Sequence, residues 1–231
     1  MKPPEEFAQQ PVVAQSVKEF HDACLALTSW PKQPLEFAEA DVWHWVATNH
    51  RNNCLLWDEE DLARRTRATD ADITANKRAI DGYNQARNDA TERVDEFLLI
   101  SLGLIDPATA GTDQPVARVA SDARLNSETA GSMMDRMSIM SLKIRAMRAQ
   151  TVRADVDEAH RSASMLKLNR LNEQRDDLGR CLDQLLADSK AGRAYFKVYR
   201  QFKMYNDPRF NPVLVAEAQA AKAAQARSAQ Q

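Results

Sequence analysis

The chain has 231 residues, enough to bury a substantial core as one large or two small domains, and no shift in composition divides it. Its 31 basic and 33 acidic residues are interspersed and leave a net charge of −2, which gives no electrostatic footprint for nucleic acid or an anionic membrane. With only 6 glycines and no β-branched runs of period two, the composition argues against a mainly β fold and predicts an all-α, single-domain bundle of about six helices.

The opening "MKPPEEFAQQP" lacks the apolar stretch of a signal peptide, and residues 1–11 read as a flexible N-terminus before a helical-bundle domain over 12–212. In the first helix, 12–28, Val13, Val17, Phe20, Cys24 and Leu27 recur at steps of four and three as one apolar face, and "SWPKQP" ends it. The second helix is expected from about Glu36 to Arg65. There His50, Asn53, Trp57, Glu60, Asp61 and Arg64 share an arc of roughly 100°.

The third helix, 71–101, has Asp70 or Thr69 as its cap. Lys77, Asp81, Asn84, Asn88, Glu92 and Asp95 share an arc of roughly 80° on it, beside an apolar face of Ile80, Tyr83, Ala90, Val94 and Phe97. Arg78, Gln85, Asp89, Arg93 and Glu96 supply its exposed face. Two readings follow. Lys77 and Asp81 form an ordinary i,i+4 pair on a solvated shoulder; or Glu60 and Asp61 face Glu92 and Asp95 across antiparallel helices and share Mg²⁺ or Mn²⁺. "ERVDEFLL" resembles half of the paired acidic pattern of MazG-type nucleoside triphosphate pyrophosphohydrolases. The other half departs from it, with Asp58 and Asp61 where that pattern has two glutamates three apart.

The longest nearly apolar run, "FLLISLGLI" at 97–105, is less than half a membrane span and reads as the buried end of this helix. A loop over about 106–128 follows, long enough to suggest function. The fourth helix, 130–150, carries a Met133, Met137, Met140, Ile144, Met147 stripe and a second one of Ile139 and Leu142, so Glu128, Ser132, Asp135, Arg136 and Lys143 point toward the interior or its edge. Thr129 caps this helix, and Gly131 and Ser132 in its first turn offer free amides for a phosphate or carboxylate, with Arg136 and Lys143 below.

The fifth helix, 154–190, spaces Leu168, Leu171, Leu178, Leu182 and Leu185 as a hairpin-packing or homodimer seam. A last helix, "GRAYFKVYRQFKMY", aligns Tyr195, Tyr199, Phe202 and Asn206 beside Lys203, and residues 213–231 form an Ala/Gln-rich tail. Cys24, Cys54 and Cys181 are odd in number and far apart, as expected of core thiols in a reducing cytoplasm.

The combination "HRNNCLLWDEEDLAR", "KRAIDGYNQARND", "NSETAGSMMDRMSIMSLKI" and "QFKMYNDPRFNP" resembles the bacterial DUF4254 family, from the second helix to Pro212. Where that family starts its fourth helix with proline, this chain has Ala130. By motif match the resemblance marks His50, Asn53, Trp57, Glu60, Asp61, Arg64, Lys77, Asp81, Asn88, Asp89, Glu128, Ser132, Asp135, Arg136, Lys143, Lys203, Asn206 and Asp207. Members of that family are often encoded beside glycosyltransferases of lipopolysaccharide or other surface-polysaccharide clusters. The resemblance therefore implies a cytoplasmic role around glycan assembly.

The leading expectation is a polar pocket that binds, or binds and acts on, a phosphorylated or sugar-nucleotide ligand. Thr129, Gly131, Ser132, Arg136, Lys143 and Lys77 would hold the anion, Asn53, Trp57, Arg64, Asp81, Asn88, Glu128, Lys203 and Asn206 would complete the pocket, and His50, Glu60, Asp61 and Asp135 would move protons. Glu60, Asp61, Glu92 and Asp95 are the metal candidates. The alternatives are a non-catalytic adaptor of a glycosyltransferase, a MazG-like pyrophosphohydrolase, and a dicarboxylate pocket resembling chorismate mutase.

Overall fold

A computed structural model describes residues 2–201 and 207–228. Six α-helices are present among them: α1 Ala14–Ala26, α2 Val42–Ala63, α3 Asp70–Ser101, α4 Ala130–Thr151, α5 Glu158–Lys190 and α6 Pro212–Ser228. The strands β1 Arg124–Leu125 and β2 Ala194–Tyr195 pair in parallel, Arg124 opposite Ala194. The chain divides into a unit extending to Val198, which holds α1 to α5 and both strands, and a second from Tyr199 onward, which holds α6. No described helix is long and apolar enough to cross a membrane.

Caps set the helix starts. Asp41 accepts from the Trp43 amide at 2.9 Å, so α2 begins at Val42 and not near Glu36, and residues 34–38 are irregular before a turn in which the Asp41 amide donates to the Ala38 carbonyl. Thr69 and Asp72 make a capping box on α3. Thr129 and Asp157 accept from the amides of Ser132 and His160 at the starts of α4 and α5.

The helix expected over 192–205 is absent from its described part. Gly192 (φ 72°) ends α5 in the left-handed region. Beyond it Ala194, Phe196 and Val198 are buried while Lys197 and Tyr199 are exposed. That period of two places β2 against the mid-chain loop. The tail, in contrast, is helical: Pro212 opens α6, with Asn211 accepting from the Val213 amide at 3.0 Å.

Phe7, Val17, Phe20, Trp43, Leu99, Met137, Ile144, Leu182 and Phe196 lie at the centre of the larger unit. Leu168, Leu182 and Leu185 are buried within it, so the leucine series is an internal seam where α5 packs on α4. All three cysteines are free thiols, Cys24 and Cys54 buried and Cys181 exposed.

Candidate functional site

Helices α2 and α3 form an antiparallel hairpin whose register is set by Asn76 donating to Glu59 (2.6 Å) and Asn49 donating to Thr91 (3.0 Å). Helix α4 crosses both. Its Asp135 accepts from Asn49 and Asn53, each at 2.8 Å, and has the Arg87 Nε at 3.8 Å. Ser138, one turn on, takes a hydrogen bond from Asn53 (3.1 Å) and shares another with His50 Nδ1 (2.7 Å). Polar groups buried this deeply are costly unless paired, so this relay fixes how three helices meet.

Above the relay a cleft of about 330 Å³ opens. Asn53, Trp57, Glu60, Asp61 and Arg64 line it from α2, Arg87 from α3, and Ile139 and Leu142 from α4. Five of the six residues in the α2 arc thus share one cavity, with Arg64 and Glu60 paired at its rim (3.0 Å). The sixth, His50, lies below with no solvent exposure, its ring 4.4 Å from that of His21 and 5.6 Å from that of Trp30. Burial pushes its pKa down to about 3. A neutral, sealed imidazole is a structural partner of Ser138 and not a proton-transfer group of the cleft.

Arg87 carries the cleft's least satisfied atom. Its Nε is buried and has no hydrogen-bond partner, while Nη2 donates to Asn88 at 3.3 Å. The side chain as a whole is 25% exposed and lines the cleft, with Asp135 beside its Nε.

The anion expected at the start of α4 is present, and it belongs to the chain. Asp95, 3% exposed, accepts from the Gly131 amide at 2.6 Å, and Thr129 lies beside it. A Cβ on residue 131 would stand 2.6 Å from the Thr91 carbonyl and 2.9 Å from Asp95 Oδ1. Thr129 and Gly131 therefore receive an internal carboxylate in place of a ligand, and the Ser132 amide is taken by the Thr129 hydroxyl (3.1 Å). Burial raises Asp95 to about 7, against hydrogen bonds from Thr129 and Gly131 and with Glu92 and Glu96 adding to the rise.

Residues 43–198 match the sequence profile of a family described as a protein of unknown function, DUF4254. The chain belongs to the DUF4254 family. The match takes in α2 through β2, so every residue of the cleft and its polar floor falls inside the shared region. No curated protein and no solved structure matches the chain.

The four carboxylates proposed for a metal are not brought together. The hairpin register pairs Glu59 with Asn76, which leaves Glu92 about sixteen residues, or ~24 Å of helix, from the level of Glu60 and Asp61. Among the described residues no three His, Cys, Asp or Glu side chains are placed to share an ion, so the residues present do not fit that centre. The paired-acid likeness fails because adjacency along each helix says nothing about register between helices.

Lys77 and Asp81 form an exposed i,i+4 pair, the solvated shoulder. Glu128 and Arg136 pair with each other and, with Lys143, line a separate cleft of about 620 Å³ between α4 and α5. Lys203 and Asn206 lie outside the described residues. Asp207 pairs with Arg209. Glu96, expected on the exposed face of α3, is only 2% exposed and pairs with Arg93, which stacks over Trp45.

Sequence reasoning missed Asn49, Arg87, Thr91 and Ser138. Asn49 had a local signal, one turn before Asn53 on the same face. Arg87 had none: it sits between two polar stripes, and only the crossing of α4 gives it Asp135.

Proposed function

We propose that the cleft between α2, α3 and α4 binds a small phosphorylated or sugar-nucleotide compound. The observation that supports this is Arg87, a cation that lines the cleft and whose Nε is buried without a hydrogen bond. A planar guanidinium in the cleft wall suits the geometry of a phosphate. Arg64 stands at the rim as a second cation, Trp57 offers a ring to a sugar or base, and Glu60 and Asp61 accept from hydroxyls. Asp135 positions Arg87 and Asn53. On this reading, which draws on what the family resemblance implies, the ligand is met in the cytoplasm, around surface-glycan assembly.

The test is a thermal-unfolding scan against nucleoside phosphates, sugar nucleotides and phosphorylated sugars, with and without Mg²⁺. A ligand that binds only the folded state adds about 2.7 kcal/mol at a hundredfold excess over Kd. Binding is expected without a metal requirement, lost in Arg87→Met and partly kept in Arg87→Lys. A flat response across the panel, or a response unchanged in Arg87→Met, rejects this reading, and co-purification with a glycosyltransferase in the absence of ligand would then favour the adaptor.

A further inference from the structure

A second cavity, a groove of about 790 Å³, lies away from this cleft, among the N-terminal segment, the start of α2, the end of α3 and the last two turns of α5. Val12, Val42, Phe97, Leu98, Leu102 and Leu186 give it apolar walls. Its polar groups are nearly all committed to the protein. Asp183 accepts from the Ala14 amide (2.7 Å), Asp41 from the amides of Gln9 and Trp43, Ser101 donates to the Leu98 carbonyl, and Gln10 donates to that of Glu6. The exposed side chains of Gln9 and Lys190 are the exceptions, and Lys190, in the last turn of α5, makes no ion pair or hydrogen bond among the described residues.

The volume is within the ~300–1,000 Å³ typical of small-molecule sites. Apolar walls with one uncommitted cation complement an apolar chain that ends in one negative charge. We infer that this groove binds a long-chain fatty acid, its chain along the walls and its carboxylate at Lys190. A phosphate monoester is the poorer match. It carries nearly two charges for one ammonium, and the groove also holds the carboxylates of Asp41 and Asp183. A peptide is disfavoured as well, because most of the donors and acceptors it would need are already engaged within the chain.

The experiment is binding of hexadecanoate and of hexadecanol to the full chain, read by displacement of a fluorescent polyene fatty acid. Hexadecanoate should bind about two- to fivefold tighter than the alcohol, the range of an exposed ion pair. Lys190→Gln should erase that preference, and Ala187→Trp, exposed on α5, should fill the groove and abolish both. Ala40→Trp fills it from the opposite wall and outside any helix, should the α5 variant fold poorly. Absence of binding by the unaltered chain, binding that survives both tryptophans, or equal affinity for acid and alcohol overturns the proposal. So does a dimer that either tryptophan converts to monomer, which assigns the groove to a second copy of the chain.

Discussion

The Asp95 carboxylate sits 2.6 Å from the Gly131 amide and occupies the start of α4 in place of an external anion. Glycine is needed there because α3 passes too close for a side chain. Gly131→Ala should lower stability by about 1–3 kcal/mol, the usual cost of overpacking a well-filled contact. A urea midpoint that falls at constant slope is the expected readout, and an unchanged midpoint would mean that α4 can move off α3 freely.

The same carboxyl gives the protein a pH dependence of uncommon sign. An unfolded aspartate titrates near ~3.9, whereas burial raises Asp95 to about 7, so the folded chain keeps this proton to higher pH. Its contribution to stability is full below about pH 4, declines as pH rises toward 7 and is gone above, up to about 4 kcal/mol in all. His21 and His50 act oppositely. Burial lowers both, His50 to about 3, so the unfolded chain protonates first below ~6.5 and stability is lost from there downward. These terms oppose each other between about pH 4 and 6.5. Asp95→Asn should leave the histidine term uncovered, with stability that falls toward acid across that interval more steeply than in the unaltered chain. Parallel urea-midpoint profiles for the two proteins would reject this balance.

Helix periodicity made much of this legible, because the polar and apolar faces of α2, α3 and α4 follow from spacing within one helix. The α2 arc was readable as a unit, and all but His50 line one cleft. What spacing could not supply is the relation between helices. It matched Glu60 and Asp61 to Glu92 and Asp95 along a hairpin whose hydrogen bonds put them turns apart, and it gave the amides of α4 to a ligand when Asp95 was within reach. The 194–199 segment shows a different failure, where Tyr and Phe spacing suits a helix but the burial alternates with period two.

Since α5 uses its leucines inside the bundle, Leu182→Ala should act on folding and not on association. Leu182 has no exposed surface, and removing it should cost about 2–5 kcal/mol. Sedimentation of the variant should match that of the unaltered protein under native conditions. A change in mass without a loss of stability would instead mark the seam as an interface.

Asp135 is where stability and binding meet, and its removal should separate the two. It is the common acceptor for Asn49 and Asn53 and the ion-pair partner of Arg87. Asp135→Ala takes one acceptor from each amide, Asn49 keeping Thr91 and Asn53 keeping Ser138, and should lower stability by about 1–3 kcal/mol in all. It also frees the Arg87 guanidinium from the carboxylate, so whatever anion the cleft accepts would lose a pre-positioned partner while gaining an uncompensated positive charge. Asp135→Asn is the sharper variant, because it keeps an acceptor oxygen for one amide and removes only the charge. If Asp135 serves to aim Arg87, Asp135→Asn should weaken phosphate binding although the site has become more positive. If the carboxylate merely neutralises Arg87, the same change should tighten it. Titration calorimetry with the best ligand from the unfolding scan distinguishes the two, and tighter binding in Asp135→Asn would overturn the positioning role.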